Sequence, residues 1–408
     1  MAKQELLLNH VFLKNRIAEL RVKQWWLAEQ VGVDRKTVIR WIQGQVRSIQ
    51  HENAEKLAQV LGCELSQLTV ANSADQLATA QDQRMAASLL VNSSLMDKLG
   101  PIGEWNVIES LLKATVVPNL PLNVLGELYN KLTIASWRQS KIDQAAEYNA
   151  KAEEVARKTG DKVLLASALL SKANIHSWRG EVIKSVATYR ECLALERFIE
   201  PRAVGSVHSN LGAVLYESGD LDEGERLIRR AIEIFSESGK PTNLSIAHAH
   251  LAMILLQKNQ VDLAANEAQI SLRYADNDDY RRGQQMGKLI EAEVEARRSH
   301  KQSAMDLVAS ALAEFSRLGI HEGLNFEYAG RVHRLVGDLD RAKSYLKEGI
   351  AASPRFPIAL AALHAEYART LKQMGSAWRG AAETAITLYA ENECPLRVAM
   401  IKDEFGIN

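Results

Sequence analysis

Arg35, Lys36, Thr37 and Arg40 crowd into one short stretch of this chain. Their side chains suit one chemistry in particular. Arg or Lys can donate two hydrogen bonds to guanine O6 and N7, and the Thr methyl can meet the thymine methyl. From Arg21 to Arg47 there are six basic residues (Arg21, Lys23, Arg35, Lys36, Arg40, Arg47) and two acidic ones (Glu29, Asp34). The excess of about +4 is of the order that a small phosphate-contacting patch needs. On charge alone, a solvated helix face explains it equally well.

What must position these residues is a pair of short helices. Lys23 to Gly44 reads as two helices with Gly32 supplying the tight turn between them. Ala28 is small, as two crossing helices require. Asp34 is a good N-cap, because its carboxylate can accept orphan backbone N–H groups. Val38 and Trp41 then face inward, Arg35, Lys36, Thr37 and Arg40 face the other way, and Gly44 stops the helix. Val11, Phe12, Ile17 and Leu20 have helical spacing upstream. A helix over 53–61 closes the core through Ala54, Leu57, Ala58 and Leu61, and Leu65 and Leu68 continue the pattern.

The segment from Ile17 to Leu68 resembles the Cro/C1 (XRE-type) helix-turn-helix family. The resemblance rests on Leu27-Ala28, Val31-Gly32-Val33, Thr37-Val38-x-x-Trp41, Gly44 and Leu57-Ala58-x-x-Leu61-Gly62. It implies a five-helix domain over 1–70 whose third helix enters the major groove of double-stranded DNA. It places base reading on Arg35, Lys36, Thr37 and Arg40, and a phosphate contact on Gln24. The chain departs from the family at Trp25-Trp26, where one Trp is expected to pack inside, and at Ile42-Gln43.

A linker is expected over 71–84, rich in Ala, Ser, Asn, Asp and Gln. Beyond it the sequence is periodic. Gly100, Ser140, Gly180, Gly219, Asn259, Ser299, Gly337 and Gly375 are 40, 40, 39, 40, 40, 38 and 38 residues apart, each a residue type that tolerates a helix-to-helix turn. An apolar residue follows two positions later at Ile102, Ile142, Val182, Leu221, Val261 and Leu339. A small one follows at five (Ala145, Ser185, Gly224, Ala264, Ala304, Ala342, Gly380). Another follows at twelve (Ala152, Cys192, Ala231, Ser271, Ala311, Gly349, Thr387). A second turn between units is marked by Gly160, Gly239 and Gly319. Such a period means stacked helix pairs, each burying its apolar face against its neighbours.

The pattern resembles tetratricopeptide (TPR) repeats through Leu211-Gly212, Gly219-Asp220 and the small residues at 224 and 231. These units are longer than the usual ~34 residues. HEAT-like repeats share the length, and the small-residue pattern favours TPR. The fold class is all-α, with the array over 85–408 a right-handed solenoid of about seven to eight helix pairs. Carried over from the TPR resemblance, the groove positions are Asn130, Trp137, Arg138, Asn174, Trp178, Asn210, Tyr216, His250, Met253, Glu293, Arg297, Tyr328, Arg331, Arg334 and Arg369. Asn can serve an extended peptide backbone, Arg a carboxylate, and aromatics side-chain pockets.

Other chemistry is not signalled. There is no G-x-x-x-x-G-K-[ST], H-E-x-x-H or G-x-S-x-G, and the ten His are scattered. Cys63, Cys192 and Cys394 form no C-x-x-C pair. No enzyme, metal or cofactor is expected. The formal net charge is zero, and neither a leader nor a membrane span is apparent, so a cytoplasmic protein is expected.

The XRE-plus-TPR order resembles the RRNPP group of peptide-pheromone receptors. That resemblance implies a homodimeric, quorum-sensing-type transcription regulator with a short peptide in its groove. A DNA-tethered adaptor that recruits a protein partner, and a scaffold that has lost DNA binding, remain open. The last repeats, or the helix from Pro395 onward with Leu396, Val398, Met400 and Ile401, are candidate dimer surfaces, because a terminal apolar face needs a cap.

Overall fold

The computed structural model describes residues 5–46, 48–70, 80–94, 96, 99, 104–117, 119–238, 240–320, 322–353 and 356–407. Arg47, Gly100, Ile102 and Gly239, and most of the expected linker (71–79), lie outside the described residues. The chain forms two compact units, Met1–Ser140 and Lys141–Asn408. Each is taken by itself.

The first unit opens with β1 (Glu5–Leu8), α1 (His10–Glu19), α2 (Gln24–Val31), α3 (Arg35–Ile42), β2 (Ser48–Gln50), α4 (His51–Leu61), α5 (Leu65–Leu68) and β3 (Thr69–Val70). The five helices are those the pattern implies. Gly32 ends α2 at φ +82°, a left-handed conformation that a Cβ would penalise. Leu13, Ile17, Leu27, Val31, Val38, Trp41, Leu57, Leu61 and Leu68 form one buried cluster. Arg16 spans α1 and the end of α4, donating from Nε to the Leu61 carbonyl (3.1 Å) and from Nη2 to the Gly62 carbonyl (3.1 Å). These carbonyls have no partner inside their own helix, and a cation there also suits the helix dipole.

Three details differ from the sequence pattern. Val11 and Leu20 are exposed, and Leu13 and Ile17, one helical turn apart, take the inward stripe of α1. Trp25 and Trp26 are both exposed, at 56% and 37%, because Leu27, Ala28 and Val31 already occupy the buried face of α2. A small antiparallel sheet in the order β2-β1-β3, with Leu6 opposite Ile49 and Leu7 opposite Val70, ties the two ends of the domain together. The same unit continues with α6 (Ala80–Val91), which begins inside the expected linker, α7 (Trp105–Ala114) and α8 (Leu122–Arg138). Both α6 and α7 pack against α8.

The second unit is an array of paired helices. They are α9 (Ile142–Thr159), α10 (Lys162–Trp178), α11 (Val182–Leu193), α12 (Pro201–Ser218), α13 (Leu221–Ser238), α14 (Pro241–Gln257) and α15 (Val261–Asn277). There follow α16 (Arg281–Arg297), α17 (Lys301–Arg317), α18 (Gly323–Val336), α19 (Leu339–Ala352), α20 (Pro357–Gln373), α21 (Arg379–Glu391) and α22 (Pro395–Phe405). Ser140, Gly180, Gly219, Asn259, Ser299, Gly337 and Gly375 all have positive φ, as do Gly160 and Gly319 between pairs. The repeat in the sequence is therefore a repeat of left-handed turn residues. Small residues let the pairs close. A Cβ on Gly212 would lie 3.0 Å from the Gly224 carbonyl and 2.8 Å from the Ile228 side chain.

The last pair breaks register. Gly380 and Thr387, expected at the small buried positions, are exposed, while Ala382, Ala385 and Tyr389 are buried. Three residues, Ser376 to Trp378, separate the Gly375 turn from α21, and this shifts the buried stripe by two positions.

The array of the second unit also closes on itself. Buried residues of α20 to α22 (Ala361, Ala365, Ala382, Ile401, Phe405) share a core with those of α10 to α12 (Leu165, Leu169, Val182, Val207, Leu211). Trp178 meets Phe356 edge to face at 4.6 Å, and Glu393 accepts from the Ile183 amide at 3.3 Å. The expected terminal cap is thus supplied partly by the chain itself. Ile401 and Phe405 of α22 are buried, while Leu396 and Met400 stay exposed.

Candidate DNA-reading helix and the interior of the array

Helix α3 begins where Asp34 caps it. The Asp34 carboxylate accepts from the Thr37 amide (2.9 Å) and from the Thr37 hydroxyl (2.6 Å). The hydroxyl bond first, and then the amide bonds, hold the Asp34 carboxyl below its ordinary value. Arg35, Lys36 and Arg40 are exposed and make no ion pair among the described residues, and Thr37 is half-buried. Two cations in the first turn of a helix oppose its dipole. That arrangement stabilises α3 least and suits an incoming polyanion best. Gln24 is the first residue of α2 and is half-buried beside exposed Trp25. Val38 and Trp41 anchor the opposite side of α3 in the core.

The interior positions fall into separate groups. Asn130, Trp137 and Arg138 lie on α8 in the first unit, where the Arg138 guanidinium sits over the rings of Trp137 (5.2 Å) and Trp105 (5.7 Å). In the second unit Asn174 and Asn210 are brought together. Asn210 Nδ2 donates to Asn174 Oδ1 at 3.0 Å, and the Tyr189 hydroxyl donates to the same oxygen. Trp178 is occupied by Phe356. Gln257 Nε2 donates to the Tyr216 hydroxyl at 3.3 Å. Met253 is buried, and the buried Nδ1 of His250 has no hydrogen-bond partner among the described residues. Burial alone pushes the His250 imidazole down to about 4, so the ring is neutral at pH 7.

The remaining positions form a ladder of ion pairs from one repeat to the next. Glu293 is fully buried and accepts from Arg297 (2.6 Å) and Arg331 (3.0 Å). Arg331 also pairs with Glu327, lies 3.7 Å from Glu366 and sits over the buried Tyr328 ring at 5.0 Å. Arg334 pairs with Glu366, which also accepts from Arg369 at 3.1 Å. Arg369 makes two further bonds to Glu404 of α22, at 2.7 Å each. Burial raises the Glu366 carboxyl, but Arg334, Arg369 and Arg331 outweigh it and hold the group at about 2.

The arginines are therefore already matched by the chain's own carboxylates. Sequence reasoning found the cations and one of their partners, Glu293, but not Glu327, Glu366 or Glu404, although Glu327 and Glu366 stand four and three residues from Arg331 and Arg369 on the same helix faces. It also missed Arg397. That residue lies on α22 and donates from Nε to the Glu217 carbonyl (2.9 Å), from Nη1 to Gln257 Oε1 (2.7 Å) and from Nη2 to the Tyr216 carbonyl.

Among the described residues no group of three or more His, Cys, Asp or Glu is placed to hold a metal ion. Among them, too, no helix is long and apolar enough to cross a membrane.

The family model of the Cro/C1-type HTH DNA-binding domain matches residues 13–73. A search of curated proteins gave no match. Among solved structures, a Rap protein complexed with Competence and Sporulation Factor is similar at 11% identity over 80% of this chain and 99% of that one, with a TM-score of 0.57. The apo form of RapI is 14% identical over 79% of this chain and 93% of that one, with a TM-score of 0.49. Bacillus thuringiensis PlcR, in complex with the peptide PapR7 and DNA, is 12% identical over 66% of this chain and 95% of that one, with a TM-score of 0.39. The Rap likeness is one of fold alone. The chain is all-α, with an N-terminal Cro/C1-type HTH DNA-binding domain followed by a TPR-like array of paired helices.

Proposed function

We propose that this chain is a DNA-binding transcription regulator controlled by a ligand, a short peptide, held inside its TPR-like array. The observation that carries the reading is the surface of α3. Arg35, Lys36 and Arg40 are exposed, and make no ion pair among the described residues, on a helix whose other side is fixed in a core, within the stretch that the HTH family model matches. Gln24 and Thr37 complete the proposed DNA contacts. Dimers would present two such helices to half-sites about 34 Å apart.

Support for a ligand comes from the array. Its interior holds aromatic, amide and guanidinium groups, among them unpartnered buried atoms such as Tyr328 Oη and His250 Nδ1. PlcR and the Rap protein are each solved with a peptide or signalling factor. The proposed ligand positions in the second unit are Asn174, Trp178, Asn210, Tyr216, His250, Met253, Glu293, Arg297, Tyr328, Arg331 and Arg334. A ligand acts only by binding one arrangement better than another.

The test is selection of a preferred duplex from a random pool, followed by fluorescence anisotropy with and without a panel of short peptides. A sequence-selective complex whose affinity a peptide shifts supports the reading. Indifference to every duplex at low salt removes it. Selective DNA binding that no peptide alters, with a folded protein captured by the array, assigns the chain instead as a DNA-tethered adaptor.

A further inference from the structure

Helix α22 returns to the middle of the array, where, besides buried Ile401 and Phe405, it inserts the side chain of Arg397 against the end of α12. Only 8% of this residue is exposed, and among the described residues no carboxylate bonds to it directly. Its partners are the carbonyls of Tyr216 and Glu217 in the last turn of α12, the Gln257 side-chain oxygen, and the Tyr216 ring, whose centroid is 5.5 Å away. The Tyr216 carbonyl also accepts from the Gly219 cap amide at 3.2 Å, the Glu217 carbonyl accepts from no amide among the described residues, and both lie at the negative end of the helix dipole. Three acceptors in a fork beside an aromatic face match the planar guanidinium and not a lysine ammonium.

The backbone around this seat is shaped for the same contact. A Cβ on Gly219, at φ +101°, would lie 3.1 Å from Leu396 Cβ and 3.3 Å from the Arg397 amide nitrogen. One repeat earlier, a Cβ on Gly180 would overlap Asn392 Oδ1 at 2.1 Å. Two successive turns are thus cut away to admit the end of α21 and the start of α22. Arg369 and Glu404 hold the far end of α22 from the neighbouring helix.

We propose that Tyr216, Glu217 and Gln257 form a guanidinium-recognition site, that Arg397 fills it as a clasp closing the array, and that a guanidinium-bearing ligand, an arginine-containing peptide, opens the clasp by taking the seat. The last part rests on the regulator reading above. The seat and the clasp do not. Opening exchanges one guanidinium for another at the same acceptors and frees α22 from α12.

The experiment is hydrogen exchange on the full chain, with no DNA and no peptide. In Arg397→Ala, amides of α22 and of the last turn of α12 should exchange at least ~10-fold faster than in the parent. Millimolar ethylguanidinium should restore protection at the α12 turn, and methylammonium should not. Gln257→Leu keeps Arg397 but removes one acceptor, and should show a smaller rise at the same amides. It gives the same readout if Arg397→Ala fails to fold. Parent-like exchange in both variants, or equal rescue by the two cations, overturns the proposal. Because the readout needs neither DNA nor effector, its failure leaves the regulator reading standing, and the converse holds.

Discussion

Asp34 and Thr37 bind each other at the start of α3, the carboxylate of one taking both the amide and the hydroxyl of the other. The Thr37 hydroxyl is spent inside the domain, and only its methyl remains to meet a base. Thr37→Val should therefore keep DNA selectivity while speeding exchange of the first α3 amides. Asp34→Ala should speed it further, and Asp34→Asn should retain most of the protection, since Asn caps as well as Asp. The Asp34 carboxyl is held below its ordinary value, so the cap's contribution is present above the unfolded pKa and is lost as pH falls through the folded one. Amide exchange read from neutral pH into the acid range checks the sign.

Arg35→Ala and Arg40→Ala should each lose ~1–3 kcal/mol of specific DNA binding and relax selectivity at one position. Both are exposed and unpaired, so the thermal midpoint should not move. Anisotropy titrations against a selected duplex decide it, and unchanged affinity in both variants rejects α3 as the reading element.

Glu366→Gln should destabilise the array by about 3–5 kcal/mol, because removing one member of a buried ion network strands the others. Arg331, Arg334 and Arg369 would all lose a shared negative charge, and among the described residues Arg334 would keep no carboxylate partner, while Arg331 keeps Glu293 and Glu327 and Arg369 keeps Glu404. The carboxyl is held at about 2, so its stabilisation is complete above its unfolded value near 4.5 and is lost as pH falls towards 2. Denaturant midpoints measured across that interval should fall in the parent protein and stay flatter in the variant.

Asn210→Ala tests the interior differently. It removes the amide donor to Asn174, whose oxygen keeps the Tyr189 hydroxyl, so the stability loss should be near ~1 kcal/mol. A larger loss of ligand affinity than of stability would assign Asn210 to binding. Equal losses would leave it structural.

Gly212→Ala should cost about 1–3 kcal/mol, since the new methyl meets a backbone carbonyl that cannot yield. Gly380→Ala is the control. Nothing lies within 4 Å of a Cβ there, and the substitution should be neutral or mildly stabilising.

Spacing alone located the turns, because a left-handed residue is a local requirement and Gly, Asn and Ser signal it locally. Helix α3 was legible for the same reason. Gly32, Asp34, Val38 and Trp41 each act within a turn or two of their own position. The strands were not legible. Three residues such as Ser48–Gln50 are too short to show alternation, and their pairing with β1 joins segments far apart in sequence. Nor was the interior network. Glu293, Glu327 and Glu366 stand three or four residues before Arg297, Arg331 and Arg369 and could be paired within one helix, but the links from Arg331 to Glu293 and Glu366, from Arg334 to Glu366 and from Arg369 to Glu404 join separate helices, which no single repeat encodes. One of Trp25 and Trp26 is expected inside on bulk alone, yet both are exposed, because Leu27 and Val31 fill the available space.

A stack of repeats ordinarily frays from its ends, since each unit answers only to its two neighbours. Here the final helix rests on one nearly two hundred residues upstream, which ties the fate of the tail to that of the middle. Melting of the second unit should then be a single concerted event, and trimming the last dozen residues should loosen α12 as much as the cut end.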